Sequence, residues 1–232
     1  MNAPVKPLRS GSVRREQLSD EVAARLRAEI MTGSLRPNTF IRLEETAARL
    51  GVSNTPVREA LRTLRGEGMV ELEPHRGHRV MPLTRQDIED IFWLQSTIAQ
   101  ELAATTTRRI TAEQIDELER LNRTMRVAVK NGDAAGITAA EFNFHRLFNR
   151  ASGRIKLGWF LLHVARYLPP QLYVTDPNWG AAAVAGHDRL VAALRRRDVH
   201  TVVDLTDQQF TDGLARLLTW LDQAGLWNNA RR

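Results

Sequence analysis

The sequence predicts a mainly α protein in two parts: a small helical unit ending in a β-hairpin, followed by an all-α bundle of six or seven helices. Three observations lead there. Apolar residues recur at three- and four-residue steps over most of the 232 residues. Strict two-residue alternation is confined to "MVELEP" and "HRVMPL", which flank "HRG". The stretch "PLTRQD", residues 82–87, separates this hairpin from the long helical remainder.

Each element has a local reason. Residues 1–16 are polar, with two prolines and scattered arginines, and read as a flexible arm. Leu18, Val22, Leu26 and Ile30 then mark an amphipathic helix that ends at Gly33. "EETAARL" is a short helix closed by Gly51. A third helix opens at "SNTP", where Ser53 and Thr55 compete as N-cap and Pro56 is tolerated in the first turn. Val57, Leu61 and Leu64 give it an inward face, and Gly66 with Gly68 stops it. This first domain spans 17–82. The second, 86–226, holds helices near 87–107, 112–133, 133–151, 154–167, 181–196 and 199–223. "ASG", "LPPQ", "DPNWG" and "RRRD" separate the later ones.

Composition bounds the function. Hydrophobic residues make up 43% and charged residues 26%, ordinary for a folded domain pair. No apolar run approaches the roughly 20 residues that span a bilayer, and the N-terminus lacks the apolar stretch of an export signal. Cysteine is absent, which removes disulfides, thiolate metal sites and cysteine nucleophiles. A cytoplasmic location fits these features. The net charge is +6. Residues 1–82 carry 14 basic against 10 acidic residues and the rest 19 against 17, so the excess is concentrated in the first third. That is the distribution expected of a domain meeting a polyanion.

Two short helices joined by a glycine turn form a helix-turn-helix arrangement, and the hairpin supplies a wing. The first turn of the second helix carries Ser53, Asn54 and Thr55, small polar residues able to approach phosphates or base edges. Arg58, one turn on, has the two-pronged head that matches guanine. In the bundle, Glu141 and His145 lie four apart, on the face of Ile137, Phe144 and Phe148. His187 shares the face of Leu190, Val191 and Leu194. Two inward histidines, one with a carboxylate a turn away, describe either satisfied core residues or a metal site. Trp93, Trp159, Trp220 and Trp227 read as core or dimer packing, and Phe142, Phe144 and Phe148 as core. "RRRD", 195–198, reads as a basic helix C-terminus.

"GVSNTPVREALRTL" followed by "EGMVELEPHRGHRV" resembles the winged helix-turn-helix of the GntR family of bacterial transcription regulators. The helical remainder is similar to the FCD domain of the family's FadR-type branch. The resemblance implies a homodimeric, ligand-responsive repressor that binds palindromic double-stranded operator DNA, and no enzyme. Asn54 and Arg58, with Ser53 and Thr55 beside them, would meet bases or phosphates. Many relatives carry arginine where this chain has Asn54. His75, Arg76 and Gly77 would enter the minor groove, glycine permitting the close approach, and Arg49 would contact a phosphate.

FadR-type domains commonly hold a divalent metal through an aspartate, a histidine four residues on, and two later histidines. Glu141, His145 and His187 occupy the first three of those positions, and Gln209 the last. Gln95 stands where relatives often carry an effector-binding arginine, and Ala99 where they carry a glutamate. The resemblance thus leaves two readings: a zinc, nickel or similar ion held by Glu141, His145 and His187, or a metal-free pocket. In either, Gln95, Glu141, His145, His187 and Gln209 line the effector pocket, with an organic acid or related metabolite as ligand. The rival from another class is a metallohydrolase built on the Glu/His set, which would leave the winged domain without a role.

Overall fold

The computed structural model describes residues 10–167 and 178–223, and two compact units divide between Thr84 and Arg85. Much of the stretch read as an arm, 1–16, lies outside the described residues. From Ser10 onward the chain is helical, because no glycine or proline follows Gly11 to stop the helix that runs to Met31. Trp227 and residues 224–226 also lie outside them.

The first unit consists of α1 (Ser10–Met31), β1 (Phe40–Ile41), α2 (Leu43–Leu50), α3 (Asn54–Gly66), β2 (Val70–Glu73) and β3 (Gly77–Val80). α1 packs on α3, and Val22, Leu26, Val57, Leu61 and Leu64 are buried. Ser53 is the N-cap of α3 by position, though its side chain accepts no capping hydrogen bond. Gly51 closes α2 in the left-handed conformation, its N–H bonding back to Ala47 and Ala48 carbonyls. The hairpin is joined by a third strand that periodicity does not reveal. The sheet order is β1-β3-β2, fully antiparallel, with Ile41 opposite His78 and Glu73 opposite Gly77. A two-residue strand is too short to show alternation.

The second unit contains α4 (Arg85–Arg109), α5 (Ala112–Asn131), α6 (Ala134–Ala151), α7 (Ile155–Val164), a 3-10 turn (Ala165–Tyr167), α8 (Trp179–Arg195) and α9 (Val199–Gln223). Thr111 and Gln114 form a reciprocal capping box at the start of α5. Asp133 caps α6 through the Gly136 N–H. Leu118, Phe144, Phe148, Leu190, Leu194 and Val202 meet in the main core. Gly180 lets α8 approach α5 closely, since a Cβ there would lie 2.8 Å from a Val129 methyl.

One packing expectation is corrected: Phe144 and Phe148 are buried, but Phe142 is half exposed and is not core, while Trp93, 69% exposed, leaves only the dimer-packing half of its reading open. The inward positions of α4 beside Trp93 belong instead to Phe92, Gln95 and Ser96. The basic run after α8 does more than oppose that helix's dipole. Arg195 clasps Asp116 and Glu119 of α5, and Arg197 donates to the Thr107 carbonyl near the end of α4.

Candidate functional site

In the first unit, α2 and α3 present the predicted polar residues to solvent. Ser53, Asn54, Thr55 and Arg58 are all exposed at the opening of α3, while Pro56 and Val57 between them are buried. This follows from helical periodicity: the inward face anchors the helix, and its N-terminal turn projects the hydroxyls, amide and guanidinium together. Among the described residues no ion pair engages Arg58. Arg62, by contrast, reaches back to Glu59.

Arg49 stands differently. Both its terminal nitrogens bind Glu29 of α1, each at 2.8 Å, with the pair partly sheltered. The hydrogen bond from Arg49 holds the Glu29 carboxyl below its ordinary range. A guanidinium so engaged has a structural partner before any phosphate arrives.

In the wing, His75 and Arg76 are exposed, and Arg76 lies over the Phe40 ring at 4.6 Å while contacting Glu73. Gly77 is required for an internal reason. Its φ is +109°, and a Cβ would sit 3.0 Å from the Ile41 carbonyl oxygen of β1. His78, missed in the sequence, is half-buried beside Arg65, and burial followed by that charge pushes its imidazole down.

In the second unit, Glu141, His145 and His187 converge, their ligand-type atoms all within 4.8 Å of one another. α6 supplies the first two one turn apart, and α8 brings His187 against them. His145 Nε2 lies 3.0 Å from Glu141 Oε1, and His187 Nε2 lies 3.4 Å from both Glu141 Oε2 and His145 Nε2. Gln209 of α9 joins this set, its Nε2 3.0 Å from the same His145 nitrogen. A proton on His145 Nε2 serves the Glu141 carboxylate, and the Gln209 carboxamide, which no other hydrogen bond orients among the described residues, can turn its oxygen toward the same site. Glu141 Oε2, buried, has no hydrogen-bond partner.

Burial pushes the His187 imidazole down to about 4, so it is neutral near pH 7. Burial alone would raise Glu141, but the charge and hydrogen bond of His145, and then His187, outweigh it and leave the carboxyl below its ordinary range. A carboxylate and two imidazole nitrogens converging on one point form the donor set of a divalent transition-metal ion. The residues present fit such an ion.

Gln95 is fully buried, donates to the Val164 carbonyl, and leaves its Oε1 without a partner. Among the described residues no hydrogen bond joins it to the Glu/His cluster. Its neighbour Ser96 donates to Asp207, two residues before Gln209, and Gln100 donates to the same carboxylate. Sequence reasoning missed this tie between α4 and α9. It also missed Asn122 of α5, which bonds His187. Asn122 falls four residues after Leu118 and three before Met125, on the apolar face, and that spacing is a readable signal. A separate surface groove of about 630 Å³ runs between α5 and α6, lined by Arg120, Arg146, Arg150 and Leu147 among others. None of the predicted site residues lines it.

Comparison with known proteins agrees with both halves. Residues 18–80 match the model described as "Bacterial regulatory proteins, gntR family", and residues 90–212, over half the chain, match the FCD domain. The chain is 35% identical over 132 residues to a Paenarthrobacter nicotinovorans protein named "Probable D-xylose utilization operon transcriptional repressor", covering 56% of this chain and 57% of that one. It is 28% identical over 221 residues to the gluconate operon transcriptional repressor of Bacillus subtilis, covering 90% and 89% of the two chains. The first of these matches thus spans little more than half the relative's length. In fold, the chain resembles Escherichia coli McbR/YncC with a TM-score of 0.68 at 21% identity, over 87% of this chain and 97% of that one. Among the described residues no helix is long and apolar enough to cross a membrane. With both domains matched along its length, the chain belongs to the gntR family of bacterial regulatory proteins and carries an FCD domain as its helical half.

Proposed function

We propose that this chain is a sequence-specific DNA-binding transcription repressor whose operator affinity is set by a small effector and a divalent metal ion in the helical domain. Ser53, Asn54, Thr55 and Arg58 read the major groove, and His75 with Arg76 enters the minor groove. Support comes from the exposure of all these side chains on a buried scaffold and from the freedom of Arg58. The repressors it is similar to are named for D-xylose and gluconate operons, which favours a small sugar-derived or organic-acid effector. Coupling between such sites typically amounts to about 1–3 kcal/mol.

Glu141, His145, His187 and Gln209 would hold the metal ion, zinc or nickel or a similar one. The observation that carries this part is the convergence of one carboxylate and two imidazoles, their ligand-type atoms within 4.8 Å of one another, with the buried Glu141 Oε2 left without a hydrogen-bond partner. A bound ion would supply positive charge to those lone pairs and a coordination point for an effector oxygen.

A palindromic operator requires a two-fold dimer. Trp93 on α4 and Ile155, Trp159 and Phe160 on α7 are exposed apolar side chains that a second copy of the bundle would cover. The protein would act in the cytoplasm, where its operator lies.

The test joins three measurements on full-length protein purified without a histidine tag. Elemental analysis is expected to find near-stoichiometric divalent metal that His145→Ala loses. Sedimentation should give a dimer. Gel-shift titration against the DNA upstream of its own gene should show specific binding that a sugar acid or sugar weakens. Absence of specific DNA binding would overturn the regulatory reading, and metal retained by His145→Ala would overturn the ligand set.

A further inference from the structure

Asn122 stands at the centre of α5, 2% exposed, and its amide meets three groups of α8. Its nitrogen lies 3.1 Å from the Val184 carbonyl oxygen and 2.8 Å from Asp188 Oδ1, and its oxygen lies 3.2 Å from His187 Nδ1. The orientation of that amide is forced. A backbone carbonyl and a carboxylate only accept, and Asp188 also accepts from Arg126 at 2.6 Å. Two acceptors need two hydrogens, which only the NH2 end of Asn122 provides. Turning the amide over would set its oxygen against two others at hydrogen-bonding distance.

The oxygen therefore faces His187, and an amide oxygen cannot donate. Nδ1 of His187 must carry the proton. In the neutral ring this leaves Nε2 bare, and Nε2 is the atom 3.4 Å from Glu141 Oε2 and from His145 Nε2. The ring plane is fixed as well, since His187 lies stacked on Phe144 with centroids 3.7 Å apart and planes 10° from parallel.

We infer that Asn122 is a positioning residue that locks His187 in its Nδ1–H tautomer and so aims a bare Nε2 at the Glu141–His145 cluster. The inference deepens the metal reading above and rests on it for its purpose, though the tautomer stands on its own geometry. A run of polar groups, Arg126 to Asp188 to Asn122 to His187, connects the surface of α5 to the cluster. Arg126 and Asp188 orient Asn122, Asn122 orients His187, and none of the three needs to touch an ion. Partners of this kind behind a ligating histidine typically change metal affinity by about 10–100-fold when removed.

Two experiments test it. The first needs no variant: long-range ¹H–¹⁵N spectra of the metal-free full chain, with His187 assigned by its loss in His187→Asn. The Nδ1–H pattern is expected, and an Nε2–H pattern overturns the inference. The second measures zinc affinity by competition with a chelator. Asn122→Leu, which removes the acceptor, should bind at least tenfold more weakly. The same long-range spectra of metal-free Asn122→Leu should show His187 released from the Nδ1–H pattern, a change that a merely structural role for Asn122 would not produce. Zinc affinity unchanged in a folded Asn122→Leu protein overturns the positioning role. If the unmodified protein binds no zinc, the metal reading falls by itself, and the tautomer still decides for or against Asn122.

Discussion

Phe144 and His187 lie face to face, ring centroids 3.7 Å apart, and the contact binds α6 to α8 at the point where both helices turn polar groups inward. The flat face of the imidazole is thereby given to the core, and only its edge nitrogens are left for chemistry. One edge meets Asn122 and the other meets Glu141 and His145. A buried, stacked imidazole of this kind resists protonation, and that resistance has a measurable signature.

The folded-state His187 titrates at about 4, lowered chiefly by burial, against an ordinary value of about 6.5 in the unfolded chain. Between these two values the unfolded chain takes up a proton that the folded one refuses. Stability therefore falls as pH drops through that window, and this contribution is fully present above it. A shift of this size corresponds to about 3 kcal/mol. Urea unfolding of chelator-treated protein at pH 7 and pH 4.5 should show a smaller loss for His187→Asn than for the unmodified chain. Equal losses would mean that His187 is not the buried titrating group.

Gly77 carries a prediction independent of any DNA. With φ at +109° and the Ile41 oxygen 3.0 Å from a would-be Cβ, Gly77→Ala forces strain into the β1–β3 pairing. The expected cost is about 1–3 kcal/mol, read as a lower denaturation midpoint of the winged unit. A variant as stable as the parent, but defective on DNA, would return Gly77 to the groove-approach role expected of it in the sequence.

Arg58 and Arg49 should separate cleanly. Arg58 is exposed without an ion-pair partner among the described residues, so Arg58→Ala is expected to cost about 1–3 kcal/mol of operator affinity and to blur one base position. Arg49 is already held by both oxygens of Glu29. Arg49→Ala should leave the salt dependence of binding close to that of the parent, where loss of a free phosphate contact would lower the slope by about one unit. Gel shifts at two salt concentrations read both effects. A full unit of slope lost in Arg49→Ala would show that the guanidinium leaves Glu29 for the DNA.

What the sequence revealed follows the range of the interaction. Glu141 and His145 are one turn apart, so helical spacing alone places them on one face, and Leu190 with Leu194 does the same for His187. The exposed opening of α3 is equally local, because buried Val57, Leu61 and Leu64 dictate which side faces out. The clasp of Arg49 on Glu29 joins residues 20 apart, and Asn122 meets His187 across 65. No periodicity reports such meetings. For Trp93 the sequence left core and dimer packing open, because nothing local reports that α4 turns Gln95 and Ser96 inward to serve Val164 and Asp207 and leaves Trp93 exposed.

Gln209 offers the last and sharpest test of the cluster. Its Nε2 stands 3.0 Å from His145 Nε2, at the rim of the Glu141–His145–His187 set and on a different helix from all three. A carboxamide is a weak, neutral ligand, whereas imidazole is a strong one for zinc, nickel and their neighbours. Replacing it by histidine at the same helical position adds a nitrogen donor to a set whose other members are already in place. Gln209→His should therefore tighten zinc binding about tenfold or more, on the scale of one added imidazole, in the same chelator competition. Gln209→Ala should weaken it only a fewfold, because Glu141, His145 and His187 remain. If Gln209→His leaves the affinity unchanged while the fold is intact, residue 209 does not face the ion, and the cluster is a three-residue site completed by solvent or effector.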